Sequence, residues 1–159
     1  MTQRLGYVLA TLTVICSCLT FISVGLTLYL ARADKPYLSY PDLPFVVVNP
    51  TNAVFEPGDT VGYKVTRCNS SGAFKSFRLA RMLVHESGQN YLLPGAVVPI
   101  APGCISSLSV ITVLPQEIAP GVPLPPGRYH ILGASNVDGA TQSFDVPWET
   151  TWFQVGAVK

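Results

Sequence analysis

Hydrophobic and polar positions divide this chain into two unlike parts. Residues 5–31, LGYVLATLTVICSCLTFISVGLTLYLA, are neutral and mostly apolar without a break, because no charged side chain lies between Arg4 and Arg32. As a helix this run would extend roughly 40 Å at about 1.5 Å per residue, against about 30 Å of bilayer hydrocarbon, and so it predicts one transmembrane helix. A cleaved signal has a hydrophobic region of only about 7–15 residues. The small-x-small triplet Ala31-Arg32-Ala33 before Asp34 is therefore read as the end of a retained anchor.

From Phe45 onward the pattern alternates. In TVGYKVTRC, Val61, Tyr63 and Val65 alternate with Gly62, Lys64 and Thr66, as in a strand with one buried face. PFVVV, SFRLARMLVHE, YLL, AVVPI, SLSVITVL, RYHILGASNV, TQSFDV and TWFQV read as further strands, rich in Val, Ile, Thr and aromatics. Pro/Gly turns such as EPGD (56–59) separate them, and Asp138-Gly139 is a hairpin signal. The expected division is a cytoplasmic tail (1–4), a transmembrane helix (5–31), a stalk (32–44) and an all-β sandwich of seven to nine strands (45–159). Within the stalk, Pro36, Pro41 and Pro44 predict stiff, extended chain. Tyr29, Tyr37 and Tyr40 read as an interfacial belt.

Charge changes this picture little. Residues 45–159 hold equal numbers of basic and acidic side chains, which excludes a general attraction to nucleic acid. Arg4 with the N-terminal amine nearly balances Arg32 and Lys35 across the expected span. The short tail and the downstream cysteines decide the expected orientation of a single-pass membrane protein: N-terminus cytoplasmic, C-terminal domain exported to a periplasmic or extracellular space. The lipid bilayer is then its first partner.

Cys68 ends one strand and Cys104 precedes another after the turn APG, so the pair reads as a structural disulfide worth roughly 4 kcal/mol. Two buried thiols are the alternative; no Cys-x-x-Cys spacing or neighbouring His points to redox chemistry. Cys16 and Cys18 fall inside the apolar run. His85 and His130 lie in expected strands, and no local cluster supplies the three or four ligands of a zinc site. Turns explain Glu56, Asp59 and Asp138, and a loop explains Glu149. With no Gly-x-Ser-x-Gly elbow and no phosphate-binding glycine loop, the expectation is no catalytic residue, no metal and no cofactor.

Two constellations remain. Lys64, Arg67, Lys75, Arg78 and Arg81 form a basic cluster with no acid between Thr60 and His85, a candidate interaction patch. Strand parity sets Lys75 and Arg81 opposite Arg78, and Lys64 opposite Arg67. In the apolar run, Thr13, Ser17, Thr20 and Thr27 make a weakly polar stripe, with Gly6 and Ala10 four apart. Such stripes let membrane helices approach one another, which would give a homo-oligomer through the helix.

The motifs EPGDTVGYKVTRC, PGC, PPGRYHI and a terminal FQV carry a resemblance. PPGRYHI, with Tyr129 just after a Pro-Gly turn, resembles immunoglobulin-like and fibronectin-like modules. With the apolar run in front, most of the chain resembles single-pass membrane proteins encoded in tailed-phage genomes. The resemblance implies an immunoglobulin-like β-sandwich at a membrane and no activity. It departs from antibody-type domains in that Trp148 and Trp152 both follow Cys104. The functional expectation is a membrane-tethered, non-catalytic protein-recognition or assembly module that binds an envelope or virion protein. The alternative is a lysis or superinfection-exclusion factor acting through helix oligomerisation.

Overall fold

The computed structural model describes a helix backbone over Thr2–Ala33 with side chains at 13–29, and residues 35–48, 54–108, 112–139 and 142–157. Two compact units result: residues 1–35 with 139–142, and residues 36–138 with 143–159.

The first unit contains helix α1 (Thr2–Ala33). Among the described residues, no helix is long and apolar enough to cross a membrane. Residues 13–29 would reach roughly 26 Å at about 1.5 Å per residue, short of the about 30 Å required. This corrects the transmembrane helix at 5–31 and, with it, the single-pass membrane location and its orientation. The span expected over 5–31 includes residues 5–12 and 30–31, whose side chains lie outside the described residues. The same holds for the side-chain positions of Gly6, Ala10 and the triplet at 31–33. The helical hydroxyls bond their own preceding turns: Ser17 Oγ donates to Thr13 O (2.9 Å), Thr20 Oγ1 to Cys16 O (3.0 Å) and Thr27 Oγ1 to Ser23 O (2.7 Å). That is the local use expected of Ser and Thr within a helix.

The second unit is β throughout. Its strands are β1 (Leu38–Ser39), β2 (Val47–Val48), β3 (Val54–Phe55), β4 (Thr60–Asn69), β5 (Lys75–His85), β6 (Asn90–Ile100), β7 (Gly103–Leu108), β8 (Thr112–Val113), β9 (Glu117–Ala119), β10 (Val122–Pro123), β11 (Gly127–Asp138), β12 (Ser143–Glu149) and β13 (Phe153–Val155). The expected seven to nine strands are thus exceeded, because several are pairs of residues too short to show a period. In the five-stranded sheet, β4 is central, with β1 and β2 on one side and β7 and β8 on the other. The six-stranded sheet runs β3-β13-β11-β5-β6, with β12 also on β11. Residues 109–111 of the expected strand SLSVITVL lie outside the described residues.

The two sheets enclose one core. Val61, Tyr63 and Val65 of β4 point into it, as do Leu79 and Leu83 of β5, Tyr129 and Ile131 of β11, and Phe153 and Val155 of β13. Phe45 joins the layers, its ring stacked on Tyr63 (5.6 Å) and on Trp148 (5.3 Å). Residues 37–45 therefore belong to the sandwich and not to a stalk. Leu38 pairs with Asn69, the Tyr37 hydroxyl donates to Ser76 O (2.6 Å), and Tyr40 bonds Ser135 Oγ (2.5 Å). The tyrosines read as an interfacial belt at 37 and 40 are core and core-edge groups.

At the entry to β11 the fully buried Tyr129 donates its hydroxyl back to Pro125 O at 2.6 Å, pinning the turn that precedes the strand. Burial, aided by the nearby Tyr91 and Glu86, pushes this phenol up to about 12. The phenolate is thus disfavoured in the folded state. Its contribution is complete below the unfolded value near 10 and is lost as pH rises toward 12. Tyr129→Phe should cost about 1 kcal/mol at pH 7 and flatten the decline in melting temperature between about pH 10 and 12. An unchanged alkaline profile in the variant would contradict this assignment.

Candidate functional site

The outer face of the six-stranded sheet is built by the residues that alternate with the core. On β11, Arg128, His130, Leu132, Ala134 and Asn136 point outward between the inward Tyr129, Ile131 and Val137. Register carries that face across the sheet. Leu132 lies opposite Glu149 of β12 on one side and Met82 of β5 on the other, and Met82 lies opposite Leu92 of β6. Two rungs along, Asn136 sits between Asp145 and Arg78, and Arg78 is opposite Val97.

Large apolar side chains are exposed on this face beside the charged Arg78, Asp145 and Glu149. Leu92 is 85% exposed, Val97 67% and Met82 37%. Contiguous exposed apolar surface of this kind marks interaction sites more often than isolated exposed side chains do. At one end stands Trp152, 43% exposed, its ring parallel to that of His130 with centroids 4.2 Å apart. The Arg128 guanidinium lies 5.6 Å from the same indole, within cation–π range. Burial holds the His130 imidazole below its ordinary value, and Glu149, 3.9 Å away, partly opposes that shift. His130 is therefore mainly neutral at pH 7 and can lie flat against the indole. The cluster is a rigid aromatic anchor with both charges at its rim, the composition of an interface centre.

The five basic residues of the candidate patch do not share one surface. Lys64 points outward from the five-stranded sheet, and Arg78 outward from the six-stranded one. Arg67 is half-buried beside Tyr40 and Tyr63. Lys75 stands 5.9 Å from the Tyr37 ring. Arg81 is in the core, donating to Thr112 Oγ1 (2.8 Å) and Pro94 O (2.7 Å). Burial pushes the neighbouring Tyr63 phenol far above its ordinary range despite these two arginines.

Cys68 and Cys104 are joined, so the structural disulfide expected from the sequence is present. The bridge spans adjacent strands of one sheet, β4 and β7. Cys16 and Cys18 are free thiols on the helix. Among the described residues no three His, Cys, Asp or Glu side chains gather as a metal would require. A shallow groove of about 470 Å³ runs over the outer side of β4 and β7, lined by Asp42, Pro44, Lys64, Thr66, Ser106 and Leu108 among others. The Thr66 and Ser106 hydroxyls in it bond each other at 2.8 Å, so its floor is already satisfied.

Sequence reasoning did not single out Trp152, Arg128, Leu92 or Val97. The signal was available for Arg128 and His130, which alternate with Tyr129 and Ile131. Trp152 follows the buried Thr150 through an irregular segment, and only the fold sets its ring on His130.

No family model and no curated protein matches this chain. Among solved structures, the alkylpurine DNA glycosylase AlkC of Pseudomonas fluorescens, bound to DNA containing an abasic site analog, is similar over 82% of this chain at 15% identity and a TM-score of 0.43. DesR, a β-glucosidase from Streptomyces venezuelae in complex with D-glucose, is similar over 72% of this chain at 13% identity and a TM-score of 0.38. The chain spans 33% of the first protein's length and 15% of the second's. Likeness at this level carries no conclusion about fold or activity.

Proposed function

We propose that this chain is a non-catalytic protein-recognition module that binds its partner through the outer face of the six-stranded sheet. The observation that carries the reading is the register that sets exposed Leu92 beside Met82 and Met82 beside Leu132, the next residue on that face after His130 of the Trp152–His130–Arg128 cluster. A sheet face with an aromatic anchor and exposed apolar side chains interspersed with charged ones suits a folded protein surface better than a small molecule, which needs a concave site. The in-sheet disulfide supports a domain kept rigid in an oxidising environment.

Trp152→Ala should weaken partner binding by about 30-fold or more, the loss typical of a central aromatic anchor, and Leu92→Asp should do the same by placing an unpaired charge in the contact. Both side chains are exposed, so melting temperatures should change little. A photo-crosslinking residue at position 92 should give a discrete adduct that Trp152→Ala removes, while one at the exposed Thr60 on the other sheet should not. Equal adducts from both positions would overturn the assignment of this face.

A further inference from the structure

We propose that β7 is a self-pairing edge, through which two copies of this chain join their five-stranded sheets into one continuous sheet. Among the described residues, β7 is hydrogen-bonded to β4 alone. Its side chains are accessible on both faces of the sheet, Ile105 being 45% exposed and Leu108 62%.

Pairing parity identifies which backbone groups that edge offers. Antiparallel partners alternate between hydrogen-bonded pairs and closer, non-bonded pairs whose N–H and C=O groups point away from each other. Cys68 and Cys104 have Cα atoms 4.0 Å apart, the close type. Lys64, opposite Leu108, sends its N–H the other way, to Val46 O at 2.9 Å. The same parity therefore holds at Cys104, Ser106 and Leu108, whose N–H and C=O groups aim at the open edge.

These three residues are evenly spaced about Ser106, which makes the edge complementary to itself. An antiparallel second copy centred on Ser106 sets Cys104 against Leu108, Ser106 against Ser106 and Leu108 against Cys104. All six free N–H groups and all six free C=O groups of the two strands then pair. None of the residues Gly103–Leu108 is charged and none is proline, so nothing in the strand opposes this approach.

The other long edges are blunted by devices that proteins use against such pairing. Strand β6 carries Pro94 and Pro99 and a register break opposite Leu79/Arg81. Strand β12 carries Asp145, Pro147 and Glu149. Among the described strands, β7 alone combines length with the absence of any guard. The pairing does not depend on the recognition face, which lies on the other sheet. Two copies joined at β7 would present two such faces, and binding would gain by avidity.

Sedimentation of the full-length, oxidised chain over a range of concentrations should show a monomer–dimer equilibrium. Ser106→Pro removes an N–H that the monomer does not use within its sheet, and proline is tolerated at an edge. It should raise the dimer dissociation constant at least about tenfold while circular dichroism stays that of the folded domain. Ser106→Lys sets two like charges against each other at the two-fold axis and should do the same without altering backbone geometry. In the dimer, hydrogen exchange at the amides of Cys104, Ser106 and Leu108 should slow with rising concentration. A chain that stays monomeric at high concentration would overturn the proposal. So would a dimer unmoved by either variant, or fast exchange at those three amides in the dimer.

Discussion

Reduction of the Cys68–Cys104 bridge should destabilise the β unit by about 4 kcal/mol. The bond joins residues 36 apart in sequence. Removing that closure returns to the unfolded chain the loop entropy it had lost, worth roughly 4 kcal/mol in the chain-entropy model. For a domain whose total stability is on the order of 5–15 kcal/mol, that is a large fraction, and the melting temperature should fall by about 10 °C or more. The bridge links two strands that already pair along six residues, so β7 has other means of staying in place. Loss of the bond should therefore lower stability without abolishing the fold. Calorimetry of the wild type with and without reductant, and of the Cys68→Ala/Cys104→Ala variant, would measure the effect. Because Cys16 and Cys18 are already free thiols, reduction reports on this bond alone. A difference below about 1 kcal/mol would show that the unfolded chain is not constrained by this link.

Long strands with strict alternation were legible in the sequence. Val61, Tyr63 and Val65 point inward while Lys64 points outward, as their spacing predicts. Alternation likewise separates outward Arg78 from buried Arg81. Tertiary context governed the rest. Three prolines in residues 36–44 favour extended chain, yet extension alone does not distinguish a free stalk from an edge segment pinned by the Tyr37 and Tyr40 hydroxyls. The strands of two residues arise only where another strand passes, as β3 does beside β13, and have no local signal. In the apolar run, unbroken neutrality predicts a span, whereas the part of α1 whose side chains are described, 13–29, is too short for one. The exposed apolar face of the six-stranded sheet has no local signal for a different reason. Its members come from β5, β6, β11 and the segment before β13, and no single stretch of sequence contains more than two or three of them.

Trp148 should prove the most costly single side chain to remove, and its partner is a glycine. The ring is buried, stacks on Phe45 at 5.3 Å and lies 5.7 Å from Tyr63, so it ties β12 to the opposite sheet. It also passes directly over Gly133 of β11, its neighbour in register. A Cβ at position 133 would overlap the indole carbon Cζ2, so that something must move. Trp148→Ala should cost about 3–5 kcal/mol, the range for a large aromatic deleted from a core. Gly133→Ala should cost on the order of 3 kcal/mol, since a packed ring cannot retreat without displacing Phe45 and Tyr63. Combined, the two changes should be far from additive. The alanine methyl would occupy part of the space vacated by the indole, so the double variant should be more stable than the sum of the single losses predicts, by at least about 1 kcal/mol. Denaturant unfolding of the four proteins measures that coupling. Strict additivity would mean that the ring above Gly133 does not set the cost of a side chain there.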